Sequence, residues 1–170
     1  PVGMVIHYSS PSGLTGRALK LSYTKTKDIF VWQDVKNKYK SQMFLRPTRT
    51  EETLIKGVIK NNLYISALKS GMPENTLLEM ISLLGFSVDF QREIRSGDSF
   101  EVLFTKEIDT LSDLVIQTKP IKYVSMNLSG NKLNFFKYED KYGYPQYYDE
   151  NGKSAKRTIM KTPINGARLS

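Results

Sequence analysis

One histidine, His7, is the whole supply of imidazole in this chain of 170 residues, and there is no cysteine. A zinc hydrolase draws on two or three His or acidic ligands around an open coordination position. A Ser/His/Asp constellation needs a base beside its nucleophile. His7 stands alone in the apolar run Met4-Val5-Ile6-His7-Tyr8 and reads as a structural residue. Disulfide frameworks, thiolate zinc sites and cysteine nucleophiles are excluded outright. The acidic pairs Glu51-Glu52, Glu139-Asp140 and Asp149-Glu150 all lie near turn signals. A glycosidase needs two carboxylates converging on one cleft at a set separation, whereas adjacent carboxylates in turns read as solvated charge. No phosphate-binding loop, dinucleotide fingerprint or calcium loop occurs. Gly57, Gly71, Gly85 and Gly97 fall at expected element boundaries, where turn and cap roles explain them. Tyr142, Tyr144, Tyr147 and Tyr148 could stack sugars or bases; core and cross-strand packing is the simpler reading.

The charges are unevenly placed. Residues 1–60 carry 11 Lys/Arg against 4 Asp/Glu, residues 61–152 carry 9 against 13, and residues 153–170 carry 5 against none, for a net +8. Basic ends around an acidic middle suit attraction to a polyanion or to an acidic partner domain. Lys36, Lys38, Lys40, Arg46 and Arg49 are the candidate contact cluster, because they flank one weak strand and its proline break. Nucleic acid is not the expected polyanion: there is no basic run of five to eight residues and no helix-turn-helix, zinc-finger or RNA-recognition motif.

The elements that must position these residues follow from periodicity. The first 60 residues read as strands: Met4–Tyr8, Ala18–Tyr23, Ile29–Trp32, a weaker Tyr39–Leu45, and Thr53–Ile59. Asn61 or Asn62 can cap a helix from Leu63 to about Lys69, closed by Ser70-Gly71. Pro73 suits a first helical position. Leu77, Met80, Ile81 and Leu84 then recur at helical spacing with Gly85 as terminator, and Glu79, outside that stripe, is expected to matter little to stability. Phe100, Val102 and Phe104 alternate as a half-buried strand. A short edge strand near Leu114-Val115-Ile116, strands over Ile121–Leu128 and Leu133–Tyr138, an exposed loop over Asp140–Pro145 and a hairpin cue at Asn151-Gly152 complete the chain. The expected class is α+β: a β-rich N-terminal segment followed by a helical hairpin packed on an antiparallel sheet. No stretch approaches the ~18 apolar residues of a membrane helix. With Pro1 first and no signal peptide in view, the chain reads as a mature or trimmed fragment.

Two sets of short motifs carry family information. The first is Gly57-Val58-Ile59-Lys60-Asn61-Asn62-Leu63-Tyr64, then Ala67, Gly71-Met72-Pro73, Val88-Asp89-Phe90-Gln91-Arg92-Glu93-Ile94-Arg95 and Gly97-Asp98-Ser99-Phe100-Glu101-Val102. The second is Tyr147-Tyr148-Asp149, Gly152 and Ser154, with Thr162-Pro163 beyond. In order and spacing these resemble the domain just before the peptidase in Gram-negative murein endopeptidases of the LytM (lysostaphin-like) type, over about residues 57–164. Asn62 stands where the family has Ser, Glu93 where it has Asp, and Ile159-Met160 where Phe-Leu is common. After Arg168-Leu169-Ser170 the family continues to its first zinc-binding His.

The resemblance implies residues 1–56 as the β-rich end of an upstream regulatory domain, 57–158 as an α+β domain preceding the peptidase, and 159–170 as a connector to it. It implies a periplasmic or cell-envelope setting, no catalytic or metal-binding residues in this chain, and zinc only in the missing catalytic domain. The function it implies is a non-catalytic region that packs on its own peptidase domain and occludes it, with peptidoglycan or another envelope component as a further partner. Two alternatives stand beside it: a binding module for cell-wall glycan or another envelope polyanion, using the basic first third and exposed tyrosines, and a metal-free hydrolase using carboxylates.

Overall fold

The computed structural model describes the backbone of residues 5–9 and 18–156, and the side chains of residues 18–156. The His7 side chain, the Pro11-Ser12-Gly13 break and the expected connector 159–170 lie outside the described residues. The chain divides into two compact units, residues 1–50 with 107–117, and residues 51–106 with 118–170.

In the first unit, β1 (Val5–Ser9), β2 (Ala18–Thr24), β3 (Lys27–Gln33) and β4 (Tyr39–Leu45) form a four-stranded antiparallel meander in sequence order. Leu19, Leu21, Ile29 and Val31 supply β-branched and apolar pairs across β2 and β3, the side-chain type that suits a pleated surface. The β2–β3 corner is tighter than the sequence suggests: only Lys25 and Thr26 turn, and Lys27 and Asp28 already belong to β3. Phe30 and Phe44 meet edge to face with ring centroids 5.1 Å apart.

The second unit holds the rest of β5 (Thr48–Val58), α1 (Leu63–Lys69), α2 (Glu74–Leu84), most of β6 (Ser99–Asp109), the end of β7 (Val115–Thr118), β8 (Tyr123–Leu128), β9 (Asn131–Glu139) and β10 (Pro145–Tyr148). The sheet order is β10-β9-β8-β6-β5, with β7 also paired to β6. Phe100, Val102 and Phe104 on β6, Val124 and Met126 on β8, and Phe135 on β9 are buried together with Leu63 and Ala67 of α1 and with Leu77, Met80, Ile81 and Leu84 of α2. Alternation at period two and recurrence at helical spacing therefore feed one core. No helix among the described residues is long and apolar enough to cross a membrane.

The expected α+β class, organised by a helical hairpin on a sheet, is corrected. The chain is mostly β: two helices of 7 and 11 residues stand against ten strands in two sheets among the described residues. The helical periodicity was genuine but covers few residues. The strands run further than their apolar alternation, because an edge or solvated face needs no apolar residues; β5 continues through Glu51 and Glu52, and β6 through Lys106 and Glu107.

Local chemistry sets the ends. Asn62, not Asn61, caps α1, its Oδ1 accepting the Ile65 N–H at 2.8 Å. Pro73 takes the N-cap position of α2 rather than the first helical one, and offers no side-chain acceptor there. Three corners share one device. Asp34, Asp140 and Asp149 each accept, through Oδ1, the N–H groups two and four residues on, at 2.8–3.0 Å across the three. Each corner has a left-handed residue at its fourth position: Asn37, Gly143 and Gly152. Gly57 is different. It lies inside β5 rather than at a boundary, and a Cβ there would fall 2.3 Å from Phe100 Cζ and 2.6 Å from Ser70 Oγ.

Candidate functional site

The three acidic pairs do separate structural jobs. Glu52 pairs with Lys122 and Glu139 with Lys137, while Asp140 and Asp149 organise their turns. Glu150 accepts from the Asn134 amide. Among the described residues, no group of three His, Cys, Asp or Glu side chains could hold a metal ion. Asp98 of the Gly-Asp-Ser-Phe motif is buried, and its carboxylate takes the backbone N–H groups of Arg95 and Ser129 at 2.7 and 2.8 Å. That motif holds two loops together.

The basic cluster lies in the first unit. Lys36 and Lys38 sit exposed in the Asp34 turn, with their backbone N–H groups on its carboxylate. Lys40 on β4 reaches Asp34 at 3.4 Å. Arg46 lies 3.1 Å from Asp28 and 3.8 Å from Asp109. Arg49 on β5 lies 2.7 Å from Asp113. Three of the five candidates thus spend charge on carboxylates of their own unit. Burial raises the Asp28 pKa, but hydrogen bonds from Ser22, Lys20 and Arg46, with the guanidinium charge, outweigh that and hold it below 3.8.

The tyrosines divide by strand parity. Tyr147 turns toward the core and donates its O–H to Glu79 at 2.8 Å. The same Glu79 oxygen accepts the Ile121 N–H at 3.1 Å, so this residue is a latch between α2, β10 and the segment before β8, and not the bystander that helical spacing suggests. Burial first, then the Glu79 hydrogen bond and charge, push the Tyr147 phenol well above its ordinary value, so it stays a donor. Tyr142 and Tyr144 stay exposed at 72% and 66% in the β9–β10 corner.

Tyr148 points to the opposite face from Tyr147, and there it joins a pattern that sequence reading missed. Leu103 pairs with Tyr123, Tyr123 with Phe136, and Phe136 with Tyr148, so one apolar row crosses β6, β8, β9 and β10 on the face away from the helices. Tyr123 and Phe136 are 5.1 Å apart between centroids; Tyr138 meets Tyr148 edge to face at 6.2 Å. Phe136 and Tyr138 are 45% and 63% exposed. A shallow cavity of about 440 Å³ is lined by Phe136, Lys137, Tyr138, Tyr148 and Asp149. Two residues along each strand, on the same face, runs a polar row: Glu101 opposite Ser125 and Ser125 opposite Asn134, with Lys56 of β5 on Glu101 at 3.0 Å. Tyr123 donates its O–H to Asn134 at 3.0 Å, tying the two rows together. The available signal was the doublet Phe135-Phe136: in a strand, neighbouring aromatics face opposite ways, so one had to leave the core.

Residues 48–170 match the family described as the Csd3 second domain. Peptidoglycan DD-endopeptidase ShyC of Vibrio cholerae is 27% identical over 112 residues, an alignment covering 66% of this chain and 25% of that protein. The chain therefore spans about a quarter of the length of this curated relative. A crystal structure of a zinc-containing peptidase from Vibrio cholerae superposes with a TM-score of 0.65 at 18% identity, covering 89% of this chain and 45% of that one. Helicobacter pylori Csd3 superposes with the same TM-score at 13% identity, covering 88% and 40%. At these identities the structural likeness is one of fold.

Proposed function

The chain belongs to the Csd3 second-domain family, and from that premise we propose that it is a non-catalytic region of a peptidoglycan endopeptidase of the cell envelope, where it packs on and restrains the zinc peptidase domain. The observation that carries this reading is the match over residues 48–170 to the Csd3 second-domain family, beside similarity to a protein named as a peptidoglycan endopeptidase, of which the aligned stretch is 25%. In this reading zinc belongs to the peptidase domain; among the described residues no group of His, Cys, Asp or Glu could hold a metal ion. A restraining region must favour the closed state by only a few kcal/mol, or no effector of ordinary differential affinity could open it.

The test is direct. The parent enzyme, with and without the stretch that includes residues 48–156, is given purified sacculi, and release of crosslinked peptides is followed over time. Restraint predicts faster release from the shortened enzyme, reversed when this chain is added back in trans. Equal rates in all three arrangements would rule it out.

A further inference from the structure

We infer that the outer face of the second sheet is a sugar-stacking shelf for a β-linked glycan chain. Among the described residues the row stands on the face opposite the core, with Phe136 and Tyr138 exposed and Tyr123 and Tyr148 half-buried beside them. Apolar patches of this kind, rimmed by polar groups, mark binding surfaces. The composition selects the ligand. Ring faces accept flat C–H surfaces, and the adjoining half-buried Asn134 and exposed Glu150 offer amide and carboxylate groups to the ring's polar substituents. A purely hydrophobic protein surface would leave that polar row unmatched.

The spacing supports the same choice. Neighbouring strands lie about 4.8 Å apart, close to the length of one pyranose ring in an extended β-linked chain. Tyr123, Phe136 and Tyr148 on three successive strands can therefore take successive rings in register. Contact with Tyr123 and with Tyr148 steadies Phe136 and Tyr138 respectively, so little freedom is lost on binding. On this face the Lys56 charge is compensated by Glu101. An uncharged polymer is what such a face fits. Choosing the glycan of the cell wall rests on the proposed function; the stacking geometry does not.

Chitohexaose, a β-linked N-acetylglucosamine oligomer, is the probe. Calorimetric titration of this chain and amide chemical shifts should show saturable binding centred on Tyr123, Phe136, Tyr138 and Tyr148. Phe136→Ala should weaken it roughly tenfold, the scale of losing one stacked ring. Phe136→Trp should retain it, and so should Leu78→Ala on the exposed side of α2. A dispersed amide spectrum for each variant separates lost binding from lost folding. Absence of binding, binding indifferent to Phe136→Ala, or shifts on this face induced only by the isolated peptidase domain of the parent enzyme would overturn the assignment. None of these readouts uses peptidase rates. A chain that binds chitohexaose without slowing the peptidase sinks the restraint reading alone, and one that slows it without binding sugar sinks the shelf alone.

Discussion

Gly57→Ala is the smallest change that should damage the second unit. The added Cβ would sit 2.3 Å from Phe100 Cζ, 2.6 Å from Ser70 Oγ and 2.8 Å from Phe100 Cε1. Carbon atoms pack at about 3.5–4.0 Å, so the ring must retreat by more than an ångström. Phe100 is 1% exposed and surrounded by core side chains, which leaves it nowhere to go. Gly57 has no positive φ, so the penalty is purely one of space and not of backbone conformation. Overpacking of this kind costs about 1–3 kcal/mol, or roughly 2–12 °C in midpoint for a chain of this size. The assay must watch the right unit. Trp32, the one tryptophan, lies in the first unit, so its fluorescence is not the readout. Hydrogen exchange at the Val102 and Phe104 amides reports the second. Phe100→Leu removes the clashing ring atoms, so Gly57→Ala should cost markedly less in that background, a coupling a double-mutant cycle reads directly. The steric account fails if Gly57→Ala is neutral within about 0.5 kcal/mol, or if its cost is the same with Phe100 and with Leu at that position.

Glu79→Ala leaves the Tyr147 O–H and the Ile121 N–H without their acceptor; it should lower stability by about 1–3 kcal/mol, while Glu79→Gln, which keeps a carbonyl oxygen, should lose less, as urea midpoints will show. Leu84→Ala, at a fully buried position of α2, should cost about 2–5 kcal/mol, against little change for exposed Leu78→Ala. Asp28 has a pKa below its ordinary 3.8 in the folded chain, so its stabilising contribution is complete above that value and is lost as pH falls through the lower folded value. Urea titrations followed by Trp32 fluorescence should accordingly show a steeper acid loss below about pH 4 in the wild type than in Asp28→Asn, and parallel curves would discard the ion-pair account of Lys20, Asp28 and Arg46.

Helix α2 was legible because four apolar residues at helical spacing have one physical solution, and α1 because Asn62 and Gly71 mark its ends. Strand β6 was legible where Phe100, Val102 and Phe104 alternate, and illegible beyond, where both faces carry polar residues. The class went wrong for that reason: periodicity reports buried faces, and much of this chain is strand with a face open to solvent. Glu79 was misread because a pattern argument places a side chain on a helix face without knowing what stands opposite. The aromatic row was invisible because register between β8, β9 and β10 depends on pairings that no single strand encodes. The cluster from Lys36 to Arg49 was visible as charge, but Asp28, Asp34, Asp109 and Asp113 reach Lys40, Arg46 and Arg49 only through folding.

The three aspartate corners behave as interchangeable cassettes. In each, a carboxylate at the first position gathers two amide protons and a left-handed residue at the fourth reverses the chain, so the second and third side chains take no part in closure. Val35 and Lys36, Lys141 and Tyr142, Glu150 and Asn151 occupy those slots and have almost nothing in common. Apart from Glu150, which accepts from Asn134 of β9, these are natural sites for labels that leave the sheet undisturbed. The Tyr-Tyr-Asp-x-x-Gly-x-Ser signature then acquires a second meaning. Its aspartate and its left-handed fourth residue are folding instructions that the chain also uses at Asp34 with Asn37 and at Asp140 with Gly143, and the tyrosines before them set this corner apart.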